Sequence, residues 1–242
     1  MTGPLLDYGR FEALTFDCYG TLIDWETGIL AALRANLDAH RVHPSDDELL
    51  ERYGQAEARA EAGPYRRYRE VLAASMREVL RPYGIEPDDE AATAFGDSVT
   101  DWPAFPDSTA ALQRLKASYR LGVITNCDDD LFAASHARLG IEFDWIVTAQ
   151  SVGSYKPDPR NFEAAFARMD VPRDRILHVA QSLFHDHAPA RRLGLSTVWI
   201  DRRHDRTGFG ATPPATVAPS ATFPDLAAFA AAATGRPTDT GV

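Results

Sequence analysis

Four short segments of this sequence follow apolar runs and carry side chains suited to chemistry. They are Asp17-Cys18-Tyr19-Gly20-Thr21-Leu22, Thr125-Asn126-Cys127-Asp128, Ser154-Tyr155-Lys156-Pro157-Asp158 and Gln181-Ser182-Leu183-Phe184-His185-Asp186. Asp17 is a candidate nucleophile, and Lys156 an ammonium able to balance its charge. Thr125 and Asn126 offer a hydroxyl and an amide as hydrogen-bond donors, while Asp186 is a candidate base. Each has a bland reading on its own: a carboxylate at a strand end commonly caps a turn, and a lone lysine is commonly solvated. Brought into one crevice, they supply the parts of covalent catalysis.

Convergence requires a scaffold, and the sequence indicates one. Five short runs, at 13–16, 121–125, 145–148, 176–180 and 197–200, are mostly apolar on both faces, as buried parallel strands are. Helix-like stretches at 130–139, 159–169 and 188–193 separate the last four. Strands alternating with helices predict an α/β fold with a doubly wound parallel sheet, in which functional groups collect at the carboxyl ends of strands. The first run breaks the rhythm. From 25 to 105 no buried strand is evident, and 29–37, 46–62 and 65–80 show helical spacing, with Ser45 as an N-cap. The expected organisation is a discontinuous core (1–24 and 106–235), a helical insertion (25–105), a closing helix near 223–233 and a frayed tail at 236–242.

The chain has 242 residues, and its 35 acidic against 25 basic side chains give a formal charge of −10. Such acidity excludes a nucleic-acid or anionic-membrane partner, both of which need a basic surface. The longest apolar run, 226–233, is far shorter than a membrane span, and the first ten residues lack a secretory pattern. Cys18 and Cys127 are too few for a disulfide framework, so a reduced, cytoplasmic protein is expected. These cysteines read as small buried hydrophobes. The His185-Asp186-His187 cluster lacks further ligands for a metal. Trp25 and Trp102 border the insertion, where packing or gating of a lid is expected. The apolar helix faces make a homodimer possible.

The motifs resemble the haloacid dehalogenase superfamily. The Asp17–Leu22 segment with Asp24 is similar to its first motif, Thr125 to its second, Lys156-Pro157 to its third and the stretch ending at Asp186 to its fourth. Phosphatases of that superfamily carry an acid two residues after the nucleophile, and two acids in motif four that help to bind magnesium. Here Tyr19 stands at the first position, and the motif-four pair is Gln181 and Asp186. Losing carboxylates weakens a hard-cation site and removes the proton donor for an alkoxide leaving group. A halide needs no such donor. The sequence therefore resembles the metal-independent 2-haloacid dehalogenase branch, which implies no cofactor and a small anionic halogenated carboxylate as substrate. The resemblance implies that Asp17 displaces halide to form an ester, and that water activated by Asp186 releases a 2-hydroxy acid. Lys156 would compensate charge. Thr125 and the backbone N–H groups of Cys18 and Tyr19 would hold the substrate carboxylate, and Asn126 would donate to the halide. Tyr19 would cover the substrate or pack as a core aromatic, and Ser182 lies within motif four. Family members use a cap arginine near the halide; Arg52, Arg59, Arg66, Arg67 and Arg69 are the candidates here, with His185 or a cap aromatic as substitutes. Other readings are hydrolysis of another small carboxylate such as a strained ring, a divergent phosphatase, and a binding protein on a decayed hydrolase core.

Overall fold

A computed structural model describes residues 6–235; the expected frayed tail at 236–242 lies outside them. The chain runs β1 (Ala13–Phe16), α1 (Trp25–Ala39), α2 (Asp46–Glu61), α3 (Tyr68–Leu80), α4 (Asp89–Asp97), α5 (Ser108–Lys116) and β2 (Arg120–Thr125). It continues through α6 (Asp129–Leu139), β3 (Trp145–Thr148), α7 (Ala149–Val152), α8 (Arg160–Arg168), β4 (Ile176–Ala180), α9 (Ala188–Arg192), β5 (Ser196–Ile200), β6 (Ala221–Phe223) and α10 (Leu226–Thr234). The strands form one parallel sheet in the order β3-β2-β1-β4-β5-β6. Strand β1 is buried along its whole length, as expected of a central strand covered on both faces.

Register decides what the sheet presents. Phe16 pairs with Val123 on one side and Val179 on the other, so Asp17 emerges level with the ends of β2 and β4. The order changes direction beside β1, and the crevice at such a switch point is where α/β sheets bind ligands.

Five helices, α1 to α5, lie between β1 and β2 in sequence; the first four form the insertion, with α3 packed against both α2 and α4. Ser45 caps α2, its hydroxyl accepting from the Glu48 N–H at 3.2 Å. One face of α2 is buried through Leu49, Leu50, Tyr53, Gly54, Ala56 and Glu57. At Gly54 a Cβ would lie 2.4 Å from the Ala211 carbonyl oxygen, so only glycine admits the close approach of the loop after β5. Arg203 anchors that loop through ion pairs to Glu26 and Asp47.

The structure adds elements absent from the sequence reading. Helices α4 and α5 fall where prolines and acidic residues obscure the period, and β6 is a three-residue edge strand in a Pro/Thr-rich stretch. No helix among the described residues is long and apolar enough to cross a membrane.

Candidate active site

Two layers of hydrogen bonds converge below the end of β1. Lys156, 1% exposed, follows the third strand-to-helix connection and reaches under the sheet ends. Its Nζ donates to Asp17 Oδ1 at 2.8 Å, to Asp186 Oδ1 at 2.7 Å and to the Ile124 carbonyl at 2.8 Å. An ammonium has three protons, so all its donors are engaged. Asp17 Oδ2 accepts from Thr21 Oγ1 at 2.7 Å, and Thr21 Oγ1 accepts in turn from the Gln181 N–H at 2.9 Å. Behind Asp186, His178 Nε2 lies 3.0 Å from Oδ1, and the other ring nitrogen lies 2.9 Å from Thr15 Oγ1. The two strands thus support the site from within the sheet: Thr15 and His178 are register partners in β1 and β4.

The turn after β4 is a single π turn over Leu183–His187, with the His187 N–H reaching the Ser182 carbonyl. Such wide turns are frequent at functional sites. Here the turn sets His185 and Asp186 consecutively into the interior, both buried. Ser182 points inward as well, its Oγ accepting from the His185 N–H at 2.9 Å and lying 3.2 Å from His185 Nδ1.

One ammonium shared by two carboxylates cannot neutralise both. Burial alone would raise the Asp186 carboxyl, but the Lys156 ammonium and the His178 bond outweigh it and hold the group well below the usual range. Asp17 goes the other way, with burial raising its carboxyl despite Lys156. Asp17 is the more basic of the two. Asp186 Oδ2 is buried and without a partner.

The cavity above these groups is small, about 30 Å³. The core side of its wall is Asp17, Tyr19, Asn126, Lys156, Ser182, His185 and Asp186; Trp25, Glu57, Glu61 and Tyr68 come from the helical insertion. Tyr19 lines the cavity and packs edge-on against Trp102 at 5.8 Å. Its hydroxyl is tied to Ser135 Oγ at 3.0 Å, and the Cys127 thiol donates to it at 3.3 Å. Cys18 is fully buried. The backbone N–H groups of Cys18 and Tyr19 make no hydrogen bond among the described residues, which leaves them available to an anion.

Three expectations are corrected. Asn126 is not a free donor: its Nδ2 binds the Glu61 carboxylate at 3.2 Å and the Lys156 carbonyl at 3.0 Å, which uses both amide protons. Thr125 does not line the cavity, and its Oγ1 is buried without a partner. No arginine of the 52–69 stretch reaches the cavity either. Arg52 and Arg59 pair with Glu48 and Glu78, Arg66 with the Ala60 carbonyl, and Arg67 and Arg69 with core aspartates.

In place of a cap arginine stand two glutamates that sequence reasoning missed. Glu57, 2% exposed, accepts at one oxygen from Tyr53 and Tyr68 at 2.8 and 2.7 Å. Glu61, one helical turn later, meets Asn126. A signal existed, since Glu57 shares the phase of the buried positions Leu50, Tyr53 and Gly54 in α2. His178 was likewise hidden inside a run read as apolar.

Burial pushes the Glu57 carboxyl up from its ordinary 4.5 to about 7, with the tyrosine hydroxyls opposing. Folding therefore takes up a proton here, so this contribution to stability is complete below pH 4.5 and is lost as pH rises through 7. Glu57→Gln keeps an acceptor for both hydroxyls. Its stability relative to the parent should increase over that window, by on the order of 3 kcal/mol at pH 8. Urea unfolding at pH 5 and pH 8 measures the change, and an unchanged difference would refute it.

A divalent cation does not suit these donors. Asp17 and Asp186 share the Lys156 ammonium, Gln181 directs its Oε1 to Thr212, and no cluster of three metal-ligating side chains occurs among the described residues.

Comparison with known proteins shows the family but not a single activity. Residues 11–194 match the family model described as haloacid dehalogenase-like hydrolase. The chain is 28% identical over 201 residues to (S)-2-haloacid dehalogenase H-109 of Pseudomonas putida, covering 79% of this chain and 86% of that enzyme. It is also 29% identical over 205 residues to the 5-amino-6-(5-phospho-D-ribitylamino)uracil phosphatase YigB of Escherichia coli, covering 79% and 84%. Among solved structures, a defluorinating L-2-haloacid dehalogenase superposes with a TM-score of 0.76 at 22% identity, covering 92% of this chain and 94% of the other.

Proposed function

We propose that this chain, which belongs to the haloacid dehalogenase-like hydrolases, displaces halide from a small 2-halogenated carboxylate through an ester on Asp17. The observation that carries the reading is the Asp17–Lys156–Asp186 chain, closed beneath a cavity in which Tyr19 occupies the place of a second acid. An Asp17 oxygen attacks the carbon bearing the halogen; the C–O bond forms as the C–halogen bond breaks and halide leaves with the electron pair. Lys156 keeps Asp17 ionised and oriented, in surroundings where its charge is poorly screened. The free N–H groups of Cys18 and Tyr19 hold the substrate carboxylate, the role that Thr125 is too deeply placed to share. Water then attacks the Asp17 carbonyl carbon, and Asp186 takes its proton through the unpartnered Oδ2. The 2-hydroxy acid leaves with the oxygen that Asp17 supplied.

The helical insertion acts in this reading as a cap, since it supplies Trp25, Glu57, Glu61 and Tyr68 to the cavity wall. Its opening admits substrate, because the closed cavity has room for only about two waters. The likeness to a phosphatase supports a second reading, which the Tyr19 position disfavours for want of a proton donor to an alkoxide.

The deciding experiment measures halide release from chloroacetate, fluoroacetate and both 2-chloropropionate enantiomers, with and without EDTA. Release unaffected by EDTA is expected. Magnesium-dependent phosphate release from phosphate esters, with no halide from any of the four, would reverse the assignment.

A further inference from the structure

The helical wall of the cavity is acidic, and the insertion contributes no cation to it. Glu57 and Glu61 both line the cavity. Lys156 is the one ammonium or guanidinium among the lining residues, and its three protons are already held by Asp17, Asp186 and the Ile124 carbonyl. Glu57 uses one oxygen for its two tyrosines, and its second takes no hydrogen bond among the described residues.

An independent feature points into the same space. His185 is 7% exposed, and its Nε2 is buried without a partner, 3.7 Å from Glu61 Oε2. Its Nδ1 lies beside Ser182 Oγ, so with the proton on Nδ1 the ring turns a lone pair at Nε2 toward the cavity. Three acceptors, two carboxylic from the insertion and one imidazole nitrogen facing them from the core, complement a group with several N–H donors and a positive charge. Hydrogen bonds from an ionised donor are the stronger kind, which favours a cation at these acceptors.

We propose that Glu57, Glu61 and His185 form a subsite for a protonated nitrogen, so that the small carboxylate this enzyme turns over also carries an ammonium group. The inference rests on the small-carboxylate reading above and narrows it to amino carboxylates. The two charges of such a substrate separate cleanly: its carboxylate meets the N–H groups of Cys18 and Tyr19, and its ammonium meets the cap. With cation and carboxylates both desolvated, their attraction is far stronger than at a surface. The burial that raises both glutamates is relieved once a cation is present.

The test is calorimetric binding of L-alanine and L-lactate to the intact protein. These differ at C2 by ammonium against hydroxyl, and lactate is the product expected from 2-chloropropionate. Alanine should bind at least about tenfold more tightly, equivalent to about 1.4 kcal/mol. Glu61→Gln should reduce that preference about tenfold, and Glu57→Gln serves as an independent variant should the first fold poorly. Lactate binding as well as or better than alanine, or a preference untouched by both variants, would overturn the subsite. So would absence of alanine binding at millimolar concentration. Halide release with lactate preferred would sink the subsite and leave the dehalogenase reading intact. Alanine preference without halide release would do the reverse.

Discussion

Asp17→Asn is expected to remove turnover by a factor on the order of 10⁴ or more, because an amide cannot form the ester. The fold should survive. Burial already disfavours the Asp17 charge, the amide oxygen still accepts from Lys156, and Asp186 remains as the ammonium's counterion. The thermal midpoint is therefore expected to stay within about 4 °C of the parent. A single turnover of the parent in heavy-oxygen water supplies the complementary measurement. Water attacks the carbonyl carbon of the ester, so the label should appear in Asp17 and the product should carry the enzyme's unlabelled oxygen. Label found only in the product would rule out an Asp17 ester.

Lys156→Met is expected to be damaging in both respects. It leaves two buried carboxylates and the Ile124 carbonyl without their donor, a loss of about 3–5 kcal/mol for a broken buried pair. Activity should fall with it, since Asp17 then tends to protonate. Arginine is no remedy, because a planar guanidinium cannot place three donors where one ammonium nitrogen does. The double variant Lys156→Met with Asp186→Asn isolates the cause. Removing one stranded charge should recover part of the stability, on the order of 1–3 kcal/mol in urea unfolding. No recovery would show that Lys156 acts by packing rather than by charge.

Much of this arrangement was legible before any coordinates. Asp17 stands directly after an apolar run, Lys156 and Asp186 lie in the segments that follow two others, and a parallel sheet delivers such residues to one edge whatever the details of its helices. The insertion was equally clear, because charges at helical spacing replace buried strands between 25 and 105. Less was visible where partners are distant in sequence. His178 reads as one polar residue in an apolar strand until Asp186 is folded against it, and Asn126 reads as a free donor until Glu61 arrives from α2. Arginines in 52–69 are numerous enough to promise a cationic cap, yet surface acids and backbone carbonyls take each of them in turn, save for the pairing of Arg67 with buried Asp128.

The sequence by itself determined a parallel α/β core with a helical insertion, and placed two carboxylates and an ammonium beyond its strand ends. Those conclusions follow from periodicity and strand polarity, which are local. The charge of the cavity was decided only by the tertiary structure. Which side chains of α2 face Asp17 depends on how the insertion packs back over the sheet, and that packing buries Glu57 and Glu61 while turning the arginines outward. A net charge of −10 describes the surface; the chemistry depends on which few of those charges are desolvated together.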